Sequence, residues 1–317
     1  MNKKIVFMGT PEFAVESLKA LVENGYEVAG VVTVPDKPVG KHQSVLQQSD
    51  VKQYALSVGL PVLQPEKLRD PDFIEALRSW DAALQIVVAF RMLPEIVWNM
   101  PKFGTVNLHA SLLPQYRGAA PINWAIINGE TETGVTTFFL DHEIDTGKII
   151  FREKIAVSDS DNAETVHDRL MSLGARLVLR TVDAIFSGSA ETISQSEAAI
   201  DAGLLKPAPK IFKETCQIDW SKTTKAVYDF IRGLSPYPAA WTELPTVSGD
   251  KLTMKIFETE KIIQPHQLPA GKVVSDGKTY LDIATSGGFI RIKSLQQAGK
   301  KRMNIDEFLR GNGRLFA

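Results

Sequence analysis

Apolar and polar positions follow two rhythms along the first half of the chain. Residues 4–8, 28–34, 82–89 and 105–108 are short apolar or β-branched runs, and 82–89 is continuous enough for a strand buried on both faces. Between them, residues 14–23 place Val15, Leu18, Leu21 and Val22 at helical spacing, and 51–57 and 70–80 also read as helices. Residues 62–63 add a short strand. This β–α–β alternation predicts an α/β domain built on a parallel, doubly wound sheet. Residues 132–140 and 149–154 predict later strands around a loop at 141–147, and an amphipathic helix over 163–186 closes the domain.

The rhythm stops near residue 188. The next stretch has no sustained apolar periodicity and carries Gly188, Gly203, Pro207 and Pro209, which predicts a linker. Beyond it come one helix at about 223–234 and five short strands near 239–244, 252–259, 271–275, 280–284 and 289–295, the pattern of a small barrel. The predicted organisation is a domain over 1–188, a linker over 189–213 and a second domain over 214–317.

Length and composition agree with two globular domains: 317 residues, 44% of them hydrophobic. The longest apolar runs are of strand length, so no membrane span is expected. The single cysteine, Cys216, permits no intrachain disulfide, and residues 1–4 lead straight into a strand with no apolar signal region; a cytoplasmic protein is expected. The net charge of −1 hides an asymmetry. Residues 1–203 hold 18 Lys/Arg against 26 Asp/Glu, or −8, and residues 204–317 hold 18 against 11, or +7. A basic back half beside an acidic front suggests a polyanionic partner for the former.

The chemistry concentrates in two places. Residues 107–118 read NLHASLLPQYRG and residues 141–147 read DHEIDTG. Asn107 and His109 share one face of a strand, at an end where doubly wound sheets bind ligands. An amide can donate to a developing oxyanion, an imidazole can move a proton, and the Asp145 carboxylate can hold and polarise the imidazole. The set suits acyl transfer without a covalent intermediate. Rival chemistries lack their signatures. Gly9-Thr10-Pro11 is no dinucleotide fingerprint, no phosphate loop occurs, and the five histidines form no metal-ligand array. Ser111 has no G-x-S-x-G elbow around it. His142, near Asp145 in sequence, reads as a loop residue.

Asn107-x-His109 with Ser111-Leu112-Leu113-Pro114 after it and Asp145-Thr146-Gly147 downstream resembles the signature of the 10-formyltetrahydrofolate-dependent formyltransferases. The likeness extends through IVFMGTP (5–11), RGAAPI (117–122), ETGVT (132–136) and SLQQAGKKRM (294–303), and is strongest to members that act on methionyl initiator tRNA. It implies a Rossmann-like catalytic domain of formyltransferase fold followed by an OB-like β-barrel that binds tRNA. It implies catalysis by Asn107, His109 and Asp145, with 10-formyltetrahydrofolate as co-substrate and no metal. Ser111, Leu112, Leu113 and Pro114 would border the folate pocket, joined by Phe90 and Met92 after the 82–89 strand, where backbone groups would contact the pterin. Many relatives carry Tyr-Gly there, so this rim differs.

For tRNA, the resemblance points to Lys41 in a loop that is more basic in the family, and the basic back half adds Lys206, Lys210, Lys300 and Lys301. The chain is expected to work as a monomer. Formylation of a sugar amine or other small amine, hydrolysis of the formyl donor, and a non-catalytic RNA-binding role on the same scaffold remain alternatives at this point.

Overall fold

The computed structural model describes residues 2–39, 45–199 and 203–316. In chain order the elements are β1 (Ile5–Gly9), α1 (Glu12–Glu23), β2 (Val28–Val32), β3 (Lys37–Val39), β4 (Val45–Gln47), α2 (Asp50–Ser57), β5 (Val62–Leu63), α3 (Pro71–Ser79), β6 (Leu84–Val88), α4 (Glu95–Trp98), β7 (Thr105–His109) and α5 (Pro121–Ile127). They continue with β8 (Glu132–Phe139), β9 (Ile149–Ala156), α6 (Ala163–Ser187), α7 (Gln195–Ala198), α8 (Thr224–Gly233), β10 (Ala240–Pro245), β11 (Lys251–Ile262), β12 (Val273–Ser275), β13 (Leu281–Thr285), β14 (Gly288–Gln297), β15 (Met303–Asn304) and α9 (Ile305–Asn312). Helix starts follow local chemistry. Asp70 accepts the Asp72 amide at 2.9 Å ahead of Pro71 in the first turn of α3, and Ser49 and Thr223 cap α2 and α8 in the same way.

The chain forms two compact units. The first comprises Met1–Gly118, Thr133–Ile155 and His167–Pro207. Its sheet runs β5-β2-β1-β6-β7-β8-β9, with β5, β2, β1, β6 and β7 mutually parallel. Strands β1 and β6 are buried along their whole length, as their apolar runs predict. The chain winds outward from β1 to β5, then crosses to β6 on the other side, so the switch point lies between β1 and β6. Helix α6 lies against β7 and β8. Gly174 allows the approach, since a Cβ there would stand 2.6 Å from Leu108, and Thr181 shares a hydrogen bond of 2.8 Å with Thr137.

One expectation changes. The sheet is mixed, because β8 runs antiparallel to β7, pairing Thr136 with His109 and Phe139 with Val106. The chain after His109 enters β8 from the end where β7 finishes and does not cross back. Strand β8 therefore ends beside the start of β7.

The second unit comprises Ala119–Glu132, Ala156–Val166 and Ala208–Ala317. It thus takes in two segments from within the range expected for the first domain. Its antiparallel sheet runs β10-β11-β14-β13-β12, with β15 added to β14. Val227, Ile231 and Leu234, from α8 and its end, pack with Ile256, Ile283, Ile290 and Leu295 of the sheet and with Phe308 of α9. Gly233 allows α5 to pack on α8, since a Cβ there would lie 2.7 Å from Ile127. Arg232 is buried: its Nε donates to Asp229 at 2.8 Å and its Nη1 to the Ser158 and Asp161 carbonyls at 3.0 and 2.8 Å.

The segment 189–213 is more than a connection. Ile193 bridges Ile149 antiparallel at the start of β9, α7 follows, and residues up to 207 belong to the first unit. Ser194 and Glu197 close a capping box at the start of α7.

Candidate functional site

The alternation of β7 puts Asn107 and His109 on one face of the sheet, and the parallel register places Val87 and Val88 of β6 beside Asn107 and Leu108. His109 is buried and Asn107 half-buried. Among the described residues, the Asn107 amide makes no hydrogen bond, which leaves both its donors available. His109 is held by one ring nitrogen: Nε2 lies 2.8 Å from the Tyr116 carbonyl, which can only accept, so Nε2 carries a proton. The nitrogen left for proton transfer is Nδ1. It faces Asp145 Oδ2 at 3.8 Å, longer than a hydrogen bond.

Asp145 does not come from an adjacent strand end. Strand β8 ends at the far end of β7, so the loop 141–147 must fold back to reach His109. Several features hold it there. Gly147 is pressed so closely to β8 that a Cβ would fall 1.7 Å from the Phe139 carbonyl oxygen. The Asp145 backbone is left-handed, with φ of 55°, a strained conformation for a residue with a side chain. The Gly118 amide donates to Asp145 Oδ2 at 2.9 Å. From α7, the Gln195 amide donates to the carbonyls of Asp145 and Gly147 at 2.8 and 2.9 Å, and its Oε1 accepts from Arg117 Nε and Nη2 at 2.9 and 2.7 Å. The tether on His109 is supported from the same stretch. The Tyr116 amide donates to the Lys206 carbonyl at 2.7 Å, and the Lys206 amide to Gln115 Oε1 at 2.8 Å.

The folate candidates divide. Ser111, Leu113 and Pro114 are buried. Ser111 Oγ donates to the Gln115 carbonyl at 2.6 Å, the Leu113 amide to Thr136 Oγ1 at 3.1 Å, and Arg152 to the Leu113 carbonyl at 3.0 Å, while Leu113 packs with Phe138 and Ile149. This segment is a rigid wall. Leu112 is half-buried, Phe90 half-buried and Met92 75% exposed, the last two just past the end of β6 beside β7. Ala89 turns the chain there with φ of 47°, and Arg91 ties the turn to the Pro65 and Glu66 carbonyls. His142, the competing histidine, is exposed and faces Glu95 and Trp98.

The cation candidates are not one cluster. Lys41 lies outside the described residues. Lys206 is half-buried in the first unit, whereas Lys210, Lys300 and Lys301 are exposed on the second. Lys210 lies over the Phe212 ring, and Lys301 pairs with Glu307 at 3.3 Å. Arg302, in the same turn, bonds Ser294 Oγ at 2.8 Å and pairs with Glu258. Among the described residues no group of three or more His, Cys, Asp or Glu could hold a metal ion, and no helix is long and apolar enough to cross a membrane.

Sequence reasoning overlooked Gln195 and Arg117. The S-x-x-E capping box at 194–197 was the available signal for a helix inside the supposed linker.

Comparison with known proteins covers nearly the whole chain. Residues 3–182 match the formyl transferase family and residues 210–313 the formyl transferase C-terminal domain. The methionyl-tRNA formyltransferase of Parabacteroides distasonis is 65% identical over 97% of this chain and 95% of its own length. Those of Bacteroides thetaiotaomicron and Flavobacterium johnsoniae are 64% and 51% identical over 97% of this chain and 95% and 96% of theirs. Among solved structures, the chain is similar to HypX from Aquifex aeolicus in complex with tetrahydrofolic acid, at 18% identity and a TM-score of 0.63 over 99% of this chain and 48% of that one. The sugar 3N-formyl transferase WlaRD is similar at 21% identity and a TM-score of 0.63, over 95% of this chain and all of its own. These two likenesses concern the fold.

Proposed function

The chain belongs to the formyl transferase family, among its methionyl-tRNA formyltransferases, and on that premise we propose that it transfers the formyl group of 10-formyltetrahydrofolate to the α-amino group of methionine on initiator tRNA. The observation that carries the chemistry is the pairing of an unbonded Asn107 amide with a His109 imidazole whose Nδ1 faces Asp145. The neutral amine attacks the formyl carbon directly. The negative charge that develops on the formyl oxygen is met by the Asn107 amide and by the protonated imidazole. The Asp145 carboxylate offsets the imidazolium charge and keeps the ring turned to the reacting atoms. Collapse of the tetrahedral species breaks the bond to N10 of the folate, which leaves with a proton; the amine gives one up. Nδ1 is the site through which that proton passes, because Nε2 is held by the Tyr116 carbonyl. No covalent acyl-enzyme is required.

The donor lies beside the wall made by Ser111–Pro114, with the turn at 89–92 on its other side. This reading is supported by the adjacency of β6 and β7. Lys210, Lys300 and Lys301 serve the tRNA backbone, and Lys41 adds a further cation to it. All three proposed catalytic groups lie in one unit of one chain, which supports a monomer, and the proposed tRNA and folate substrates support a cytoplasmic reaction. The test is a panel of acceptors. Labelled 10-formyltetrahydrofolate is incubated with charged initiator tRNA, charged elongator tRNA, a nucleotide-linked sugar amine or buffer alone. Label should accumulate on methionyl initiator tRNA. Equal or faster labelling of the sugar amine, or release as formate at the same rate without acceptor, overturns the reading.

A further inference from the structure

We propose that Gln195 is a positioning residue for catalysis, holding the Asp145 loop in the one arrangement that brings its carboxylate to His109. This inference rests on the role given above to Asp145. Three observations carry it. First, the loop arrives from the wrong end of the sheet and holds Asp145 in a left-handed conformation, so the native arrangement needs external ties. Second, Gln195 is only 4% exposed and every polar atom of its amide is engaged: Nε2 by two carbonyls of that loop, Oε1 by two N–H groups of Arg117. Third, Arg117 precedes Gly118, whose amide holds the Asp145 carboxylate itself, so a single side chain locks the loop to the segment that orients its acid.

The direction of the amide is fixed by its partners. Rotating it would face oxygen to two carbonyls and N–H to a guanidinium, so the orientation is set by chemistry. That makes Gln195→Glu a sharp probe. The glutamate keeps the acceptor for Arg117 and loses both donations to the loop, with nearly the same volume. Gln195→Met keeps the volume and removes both interactions.

The experiment follows tetrahydrofolate formation by the full chain with each acceptor of the panel, so that donor cleavage is read whichever amine receives the formyl group. In both variants kcat should fall about 10–100-fold, the scale of a misplaced catalytic group, while KM for donor and acceptor stays within about twofold. The decisive readout is the double variant. If Gln195 acts through Asp145, Gln195→Glu added to Asp145→Asn should lower kcat no further than Asp145→Asn alone. A purely structural role would multiply the two losses and would lower the melting temperature in proportion. Folded variants with parental kcat, or multiplied losses in the double variant, overturn the proposal. A change of preferred acceptor in the parent chain would overturn the functional reading alone, and an Asp145→Asn variant with parental kcat would remove the basis of both.

Discussion

Asn107 and His109 sit two residues apart on one strand but are held very differently, and this separates the predictions for them. His109 is anchored through Nε2 to the Tyr116 carbonyl, so its loss removes a positioned acid. His109→Ala should reduce kcat by about 10²–10⁴-fold with the fold intact, as measured by steady-state kinetics beside a thermal melt. The Asn107 amide has no bond to lose among the described residues, so Asn107→Ala should leave the melting temperature almost unchanged while costing about 10²–10³-fold in kcat. A large fall in stability with modest kinetic loss would make Asn107 structural instead. Gly147 gives the opposite test. A methyl group there meets the Phe139 carbonyl at 1.7 Å, so Gly147→Ala should destabilise by about 1–3 kcal/mol and displace Asp145 along with the loop. The proposal of Asn107, His109 and Asp145 was legible as residue types and spacing. The loop geometry was not, because nothing in DHEIDTG says that β8 runs backwards.

At the scale of elements, buried strands were the easiest to read. Strands β1, β2, β6 and β7 are apolar runs because both their faces are covered, and each differs from its expected span by only a residue or two at its ends. Short elements escaped because four residues cannot display a helical period: α4 and α7 each span a single turn. Helix α9 was missed although Ile305, Phe308 and Leu309 have the spacing and are buried. Within 189–213 the S-x-x-E box was the local signal, and the ties that Gln195 and Lys206 make are hydrogen bonds to distant residues, which leave no local pattern. Two ties between elements can be measured. Arg232 fastens α8 to the 158–161 turn from a buried position, and Arg232→Met should cost about 3–5 kcal/mol, towards the lower end because Lys225 still reaches Asp229. The Tyr26 hydroxyl donates to Asp183 of α6, and burial together with that carboxylate pushes its pKa up to about 12 from 10.0. The neutral phenol is thus favoured in the folded state. Its contribution is complete below pH 10 and is lost as pH rises towards 12, so the alkaline fall in melting temperature over that window should flatten in Tyr26→Phe.

For the whole molecule, the charge asymmetry leads us to propose that the basic back binds the polyanionic acceptor while the acidic front carries the chemistry. Within the basic turn at 300–302, Lys301 and Arg302 have carboxylate partners, whereas among the described residues Lys300 has none. Lys300→Ala should therefore weaken tRNA binding at low salt and lower the slope of log K against log salt by about 0.7–0.9, without changing kcat at saturating tRNA. An unchanged slope in a binding series from low to moderate salt would remove Lys300 from the interface. In the proposed mechanism Asn107, His109 and Asp145 pass a formyl group straight from donor to amine. The measurement closest to it is a single-turnover, acid-quenched time course with formyl-labelled donor, excess protein and methionyl initiator tRNA. Label should move from folate to tRNA in one phase with no protein-bound label at any time, and His109→Ala should slow that phase by about 10²–10⁴-fold. Acid-stable label building up and decaying on the protein, or a His109→Ala time course that overlays the parent's, would contradict direct transfer through His109.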